Sequence, residues 1–199
     1  MNEVLWSPSK ERMKNSQMGK FRDYLEEIYH VSFESYRDLH LFSVQRTEAF
    51  WKGVIDFFKI RFSGELSPAC TDTSFETYGW FPGVKINFAE NLLKESGEKE
   101  ALVCVHESAK RVALSYNQLR TQTAKLQESL KKYMDKGDVL ACYMPNINET
   151  VISMLGASSL GGVFTSTSCD FGVNGVIDRF SQSKPKVLVA SAAYTYNGK

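Results

Sequence analysis

The sequence lacks a long hydrophobic run and a strong excess of either charge. No stretch approaches the roughly 18 consecutive apolar residues that a membrane helix requires. The 24 basic and 23 acidic side chains nearly cancel, to a net charge of +1. No basic block offers the clustered cations that a nucleic-acid surface needs. We therefore expect neither a membrane protein nor a nucleic-acid-binding protein.

Histidine and cysteine are few and scattered. The three histidines lack the spacing of metal ligands, so we expect no bound metal; they are His30, His40 and His106. The four cysteines form no C-x-x-C pair, which favours free thiols in a reducing compartment; they are Cys70, Cys104, Cys142 and Cys169. The N-terminus is charged throughout and has no apolar core of a signal peptide, so we expect a cytoplasmic protein.

Familiar catalytic and nucleotide-binding motifs are also missing. No G-x-G-x-x-G follows a predicted strand, and there is no G-x-S-x-G. The pair Gly198-Lys199 is not a P-loop, because Ala193 stands where that motif needs glycine. The residues alone therefore indicate a globular α/β protein, with 43% hydrophobic residues, and no visible catalytic group.

The first half of the chain, residues 1–99, reads as helical and then irregular. Ser7-Pro8 is typical of a helix start. The next apolar residues recur at helical spacing and predict one buried face: Met18, Phe21, Leu25 and Ile28. A second helix is predicted over 47–58, with a broad and largely buried stripe of Phe50, Trp51, Val54, Phe57 and Phe58. The stretch 61–87 reads as a connector held down by aromatic side chains: Phe75, Tyr78, Trp80 and Phe81.

From residue 100 the pattern alternates between strands and helices. A hairpin is predicted over 101–106 and 111–115, and a helix over 116–133 that Ser115 caps. The inner face of that helix is predicted to carry Leu119, Ala124, Leu126 and Leu130. Strands at 139–144, 163–166 and 186–190 then alternate with helices at 148–160 and 172–182. This order predicts an α/β fold in which the second half forms part of a mostly parallel sheet.

The predicted sheet gives the first indication of a site. Ligands of open α/β sheets bind outside the carboxyl ends of the strands. Three loops leave those ends, at residues 145–148, 167–171 and 191–199. If the strands are parallel, the three loops share one rim, and the functional site is expected there.

Three runs of sequence resemble adenylate-forming enzymes of the acetyl-CoA-synthetase-like family. These are residues 80–93 (WFPGVKINFAENLL), 137–146 (GDVLACYMPN) and 166–199, the last with the core DFGVNGVIDRF. The third run, together with Trp6 and the stretch 15–18, is similar to the acetoacetyl-CoA synthetases within that family. The resemblance covers essentially the whole chain. It implies that residues 100–199 are the first part of an AMP-binding domain that is cut off before its catalytic residues.

The resemblance implies an ATP-dependent ligase. Such enzymes join a carboxylate, here acetoacetate, to ATP in a Mg²⁺-dependent step, and CoA then displaces AMP to give the thioester. The phosphate-cradling loop, the ribose-binding acid and the catalytic lysine of the family come later in such chains. The 199-residue chain alone is therefore expected to contain no catalytic residue, to bind no cofactor tightly and to be inactive.

The resemblance also places part of a CoA site on five positions. These are Ser168, Cys169, Asp170, Tyr196 and Lys199. Relatives carry Phe-Gly-Gly in place of Ser-Cys-Asp and arginine in place of Tyr196, and Asp170 brings a negative charge toward a polyanion. Structural roles compete with these assignments. Asp170 fits a helix N-cap, and Arg179 fits a solvated or ion-paired residue on the following helix.

Two classes of function stay open. One is a ligase for acetoacetate, or for acetate or propionate. The other is a non-catalytic module that binds CoA, a nucleotide or another protein. Because the sheets of such enzymes continue beyond this point, the chain is also expected to expose an apolar face and to self-associate.

Overall fold

The computed structural model of the chain describes residues 5–71, 74 and 76–198. Packing divides the chain into two compact units, Met1–Lys85 and Ile86–Lys199. The division into domains at residues 99 and 100 stays a prediction. Within the second unit, the short helix that begins at Phe88 packs against the helix that begins at Asn148.

The first unit is mainly helical, as the aromatic-rich pattern predicts. Its elements are α1 (Lys10–Asn15), α2 (Gln17–Tyr29), α3 (Tyr36–Gln45), α4 (Thr47–Phe57), β1 (Ser63–Gly64) and β2 (Val84–Lys85). The two short strands pair antiparallel. The sequence pattern did not indicate α3, because only Leu39 and Phe42 of this ten-residue helix are buried.

Serine side chains begin the first two helices. The prediction that Ser7 caps a helix beginning at Pro8 is wrong, because Ser9 is the N-cap and accepts a hydrogen bond from the backbone N–H of Arg12. Ser16 ends α1 and caps α2 by accepting from the backbone N–H of Gly19. A Cβ at position 19 would lie 2.2 Å from the Met13 carbonyl oxygen, so this tight junction needs glycine.

The core of the first unit forms where α2, α3 and α4 meet. It consists of Phe21, Leu25, Phe33, Leu39 and Phe42. The predicted face of α2 is only half correct, because Met18 and Ile28 are 53% and 50% exposed. A Cβ at Gly53 of α4 would lie 2.6 Å from a methyl of Leu25, so the helices approach closely there.

The aromatic stripe of α4 is less buried than its pattern predicts. Phe50, Val54 and Phe57 are half-buried, whereas Trp51 and Phe58 are each 40% exposed. The stripe is wider than the surface that α2 and α3 can cover, so its edges remain at the surface.

The connector after α4 is held by ring contacts. Trp80 lies 5.6 Å from Trp51 and 4.7 Å from Tyr78, measured between ring centroids, and its ring also contacts that of Phe81. The predicted anchor Phe75 lies outside the described residues.

The second unit contains the α/β part. Its elements are α5 (Phe88–Leu92), β3 (Glu100–Val105), β4 (Arg111–Ser115), α6 (Tyr116–Leu130), β5 (Val139–Tyr143), α7 (Asn148–Ser159), β6 (Val163–Thr167), α8 (Val173–Ser183) and β7 (Val187–Ala190). The predicted hairpin is confirmed as the antiparallel pair β3 and β4.

The parallel sheet is confirmed, in the order β6-β5-β7. The central strand β5 pairs with a neighbour on each side, and its three middle residues are fully buried at 0% exposure. Leu140 and Cys142 point to one face, since side chains alternate along a strand. They pack there with Leu130 and Met134, at the end of α6 and just beyond it, and with Ala157 of α7.

Helix α6 covers that face and begins with a capping box. Ser115 accepts from the Gln118 backbone, and the Gln118 side chain accepts in return from the Ser115 N–H. Leu119 and Leu130 are buried as predicted. Ala124 is exposed, contrary to the prediction, and its neighbour Thr123 is buried instead.

Helix α8 carries an exposed apolar face. Val173 and Ile177, four residues apart and so on one side of the helix, are 73% and 60% exposed. None of the residues of this helix is fully buried. Within the part of the chain that the structure describes, no helix is both long and apolar enough to span a bilayer.

Truncation of Leu25 is expected to destabilise the first unit strongly. Leu25 has no exposed surface, so Leu25→Ala leaves a cavity and should cost about 2–5 kcal/mol of unfolding free energy. Met18→Ala removes a half-exposed side chain of the same helix and should cost less than about 1 kcal/mol. Urea unfolding measures both variants, and equal losses would contradict the packing described.

The 199-residue chain is expected to self-associate through the α8 face. Ile177→Lys should lower the associated fraction, because a charge on this face disfavours its burial. Asn174→Lys adds the same charge to the same helix beside the apolar positions and is the matched control. Sedimentation velocity across a range of concentrations measures the effect, and a monomeric wild-type chain throughout would contradict it.

Candidate functional site

The carboxyl ends of β5, β6 and β7 open onto a pocket of about 620 Å³. The loops that follow the three strands line it, with residues 145–147, 168–170, 191 and 193–196. A fourth wall comes from residues 104–108, at the turn between β3 and β4. The three loops predicted from the strand order therefore meet at one rim, because parallel strands end at the same edge of their sheet.

Two tyrosines tie the loops of the rim together. The hydroxyl of Tyr143, the last residue of β5, donates toward the carbonyl oxygens of Cys169 and Phe171 at 3.0 Å from each. The hydroxyl of Tyr194 donates to the Cys169 carbonyl at 3.2 Å. The loop after β6 is thus fixed from the strand below it and from the segment after β7.

The loop after β6 turns on a short polar contact. The hydroxyl of Ser168 donates to the Asp170 carboxylate at 2.8 Å and accepts from the Asp170 backbone N–H at 3.3 Å. The prediction that Asp170 caps the following helix is wrong. Gly172 is the N-cap of α8, and no side chain caps it. The Asp170 carboxylate is exposed and faces the pocket.

Cys169 contributes surface to the pocket but not a nucleophile. Burial, and after it the nearby Asp170 carboxylate, raises the pKa of the Cys169 thiol above its ordinary value. The raised pKa keeps this thiol protonated at neutral pH. Since the reactive form of cysteine is the thiolate, Cys169 is a poor nucleophile. Burial and the Asp170 charge also raise the pKa of the Tyr194 hydroxyl, which keeps it a hydrogen-bond donor.

Arg179 packs on an aromatic ring. Its guanidinium lies 4.5 Å from the ring centroid of Phe171, a cation–π contact. Arg179 lies in the second half of α8 and is exposed, as expected of a solvated residue, and its guanidinium reaches back to the ring that precedes the helix. Phe171 directly follows the pocket residue Asp170, so the contact supports the wall of the pocket.

The hairpin turn is a part of the site that sequence reasoning missed. Its Glu107 carboxylate accepts hydrogen bonds from the backbone N–H groups of Asn197 and Gly198, at 3.0 and 3.1 Å. The Cys104 thiol donates to the Asn146 carbonyl at 3.6 Å. These contacts join the turn to loops some 40 and 90 residues away, and no sequence pattern pairs segments so far apart. The only available signal was the polar and tyrosine-rich composition of the loops.

Four of the five positions predicted to contact CoA line this single pocket. They are Ser168, Cys169, Asp170 and Tyr196. The fifth, Lys199, lies outside the described residues. The Tyr196 ring is 59% exposed and available for stacking. With an exposed ring, hydroxyls and the exposed Asp170 carboxylate, the pocket can bind a polar aromatic ligand but offers no activated nucleophile.

Metal ligands do not gather in this region. Among the described residues, no group of three or more histidine, cysteine, aspartate or glutamate side chains is arranged to hold a metal ion. The Asp170 carboxylate in the pocket has the uncharged Ser168 hydroxyl, and not a second carboxylate, as its hydrogen-bond partner.

Comparison with known proteins identifies the class to which the chain belongs. The family described as AMP-binding enzyme matches residues 88–198, more than half of the chain. The chain therefore belongs to the AMP-binding enzyme family. The match begins at α5 and contains the whole of the pocket.

Relatives named after a particular synthetase activity match essentially the whole of this chain. A curated acetoacetyl-coenzyme A synthetase of Rhizobium meliloti (strain 1021) is 38% identical over 98% of the chain. The solved acetoacetyl-CoA synthetase of Streptomyces lividans superposes over 100% of the chain, with a TM-score of 0.94 at 33% identity. A malonamoyl-CoA synthetase of Penicillium aethiopicum is 32% identical over 99% of the chain.

The chain spans only part of these proteins. It covers 30% of the Rhizobium protein, 28% of the Penicillium protein and 31% of the Streptomyces structure. The fold prediction, an N-terminal part of an acyl-CoA synthetase, is confirmed by the Streptomyces superposition.

Removal of the Tyr143 hydroxyl is expected to loosen the loop after β6. Tyr143→Phe keeps the ring but loses the hydrogen bonds to the carbonyls of Cys169 and Phe171, at a cost of about 0.5–1.5 kcal/mol. Hydrogen–deuterium exchange should become faster at residues 168–172. Tyr133→Phe, at a ring that is 63% exposed outside the pocket lining, is the control. Unchanged exchange in Tyr143→Phe would show that the tyrosine does not fix the loop.

Proposed function

We propose that the chain is the N-terminal part of an ATP-dependent ligase that converts acetoacetate and CoA to acetoacetyl-CoA. AMP and pyrophosphate are released, and an acyl-adenylate is the intermediate. The observation that carries the proposal is similarity to acetoacetyl-CoA synthetases over essentially the whole of this chain, in sequence and in backbone. Membership of the AMP-binding family supports the use of ATP.

The role proposed for this chain is to build one side of the CoA site. The exposed ring of Tyr196 can stack on adenine, and Lys199 can pair with a CoA phosphate. Ser168 and Cys169 supply part of the pocket wall, as Tyr196 does. The Asp170 carboxylate would repel a phosphate, but the hydroxyl of Ser168 donates to it at 2.8 Å and partly offsets its charge.

The remaining chemistry belongs to other parts of the protein. The Mg²⁺ requirement of adenylation, the phosphate-cradling loop and the catalytic lysine are proposed for the longer gene product, as the resemblance implies. The four cysteines are free thiols, which favours a reducing compartment, and we place the protein in the cytosol.

The names of the relatives narrow the proposed substrate class. Acetoacetate and malonamate are both short carboxylates with a carbonyl group two carbons from the carboxylate. They differ only in the group attached to that carbonyl, which is a methyl group in acetoacetate and an amino group of nearly the same size in malonamate. The shared feature of the proposed substrate is therefore this β-carbonyl, which acetate and propionate lack.

The test is a substrate comparison with the full-length gene product. Acetoacetate-dependent exchange of pyrophosphate into ATP reports adenylation, and CoA-thioester formation reports the complete reaction. We expect the highest kcat/KM with acetoacetate, a lower value with malonamate, and values at least about tenfold lower with acetate and propionate, which leave a β-carbonyl-binding group unpaired. The 199-residue chain alone should be inactive. A preference for acetate or propionate would overturn the acetoacetate assignment.

A second candidate is a non-catalytic module that binds CoA, a nucleotide or a protein. The observation behind it is the pocket itself, whose exposed Tyr196 ring and polar loops can bind a ligand without a catalytic group. The mass of the natural gene product separates the two candidates. A mass several times 22.5 kDa supports the ligase, whereas 22.5 kDa supports the module.

A further inference from the structure

Glu107 joins two parts of the rim that are about 90 residues apart in sequence. It lies in the turn between β3 and β4, and both of its carboxylate oxygens accept hydrogen bonds from the segment after β7. One oxygen accepts from the backbone N–H of Asn197 at 3.0 Å, and the other from that of Gly198 at 3.1 Å.

The backbone at Asn197 and Gly198 has a conformation that suits a carboxylate acceptor such as Glu107. Asn197 and Gly198 both have left-handed conformations, with φ of 54° and 74°. Successive N–H groups at such a turn can converge on one point and form a receptor for an anion. A carboxylate that binds both groups is a charge-assisted, two-point contact, which fixes direction as well as distance.

The turn that carries Glu107 is itself well held. The backbone N–H of Ala109 donates to the His106 carbonyl at 2.9 Å, and that of His106 donates to the Lys110 carbonyl at 2.9 Å. Cys104, at the base of the same turn, donates to the carbonyl of Asn146 in the loop after β5. Glu107 therefore projects from a closed hairpin that is anchored to the rim.

The segment after β7 has few other supports at its far end. Ser191 donates its backbone N–H to the Tyr143 carbonyl at 3.1 Å, and the Tyr194 hydroxyl is bound to the Cys169 carbonyl. Beyond Tyr194, the backbone hydrogen bonds of residues 195–198 within the described chain are those to Glu107. These residues are all exposed, so packing does not fix them.

We infer that Glu107 is a positioning residue for CoA: it clamps Asn197 and Gly198 and so sets the place of Tyr196 in the pocket. The inference deepens the proposed function and rests on it. Without the clamp, the segment beyond Tyr194 samples several conformations, and CoA must order it on binding. The free energy spent on that ordering lowers the affinity for CoA. The rate of adenylation at the acyl group is unaffected.

The first test is CoA binding to the full-length gene product by titration calorimetry. Glu107→Ala should raise the Kd for CoA about fivefold to tenfold, the loss expected for two charge-assisted hydrogen bonds at an exposed site. Glu107→Gln keeps one acceptor oxygen and should fall between wild type and Glu107→Ala. Glu128→Ala removes an exposed carboxylate from α6, outside the pocket lining, and should leave the Kd unchanged.

The second test separates positioning from general destabilisation. In Glu107→Ala the KM for CoA should rise, while kcat and the CoA-independent pyrophosphate exchange stay at wild-type values. Hydrogen–deuterium exchange of the 199-residue chain should become faster at Asn197 and Gly198, whose N–H groups lose their acceptor. A parallel loss of CoA affinity and of CoA-independent pyrophosphate exchange would overturn the positioning role. Unchanged hydrogen–deuterium exchange at Asn197 and Gly198 would overturn it too.

The two proposals fail in different ways. If the wild-type protein shows no acetoacetate-dependent pyrophosphate exchange, the proposed ligase function is wrong, whatever Glu107 does. If that exchange is present but Glu107→Ala binds CoA as tightly as wild type, the ligase function stands and the inference about Glu107 is wrong.

Discussion

The second unit depends on the pairing of β5 with a parallel strand on each side. Leu140, Ala141 and Cys142 have no exposed surface, and every backbone polar group of such a strand needs a partner within the sheet. The neighbours β6 and β7 supply those partners, and α6 and α7 cover the face that Leu140 and Cys142 present. Because parallel strands require long crossovers, this pairing also dictates the alternation of helices with strands.

The same pairing creates the candidate site. Parallel register brings Tyr143 of β5 opposite Thr167 of β6 and Ala190 of β7. The three following loops therefore start side by side, and tyrosine hydroxyls join them through backbone carbonyls. The hairpin of β3 and β4 is not part of this sheet, yet its turn closes the pocket through Glu107 and Cys104. The site is thus a set of loops fixed by buried strands, an arrangement suited to binding a large, polar ligand.

The charge of the pocket bears on the proposed ligand. Two carboxylates, Glu107 and Asp170, line it, and a CoA site would ordinarily favour cations. Glu107 has both oxygens bound to backbone N–H groups, and Asp170 has one bound to Ser168. Both charges are partly compensated within the chain, so they shape the loops more than they repel a ligand.

Local pattern determined most of the architecture. The apolar run of β5, the Ser115 cap of α6 and the strand–helix alternation predicted the parallel sheet and the rim, because these features depend on neighbouring residues and on burial of single elements. Tertiary structure decided the rest. Leu39 and Phe42 made α3 part of the core, Met18 was left at the surface while Leu25 was buried, and Gly172 rather than Asp170 capped α8. Glu107 reached Asn197 and Gly198 only because the folded hairpin brought them together. Contacts between residues far apart in sequence leave no periodic signal, so the sequence predicted where the site lies and the fold determined how its parts are held.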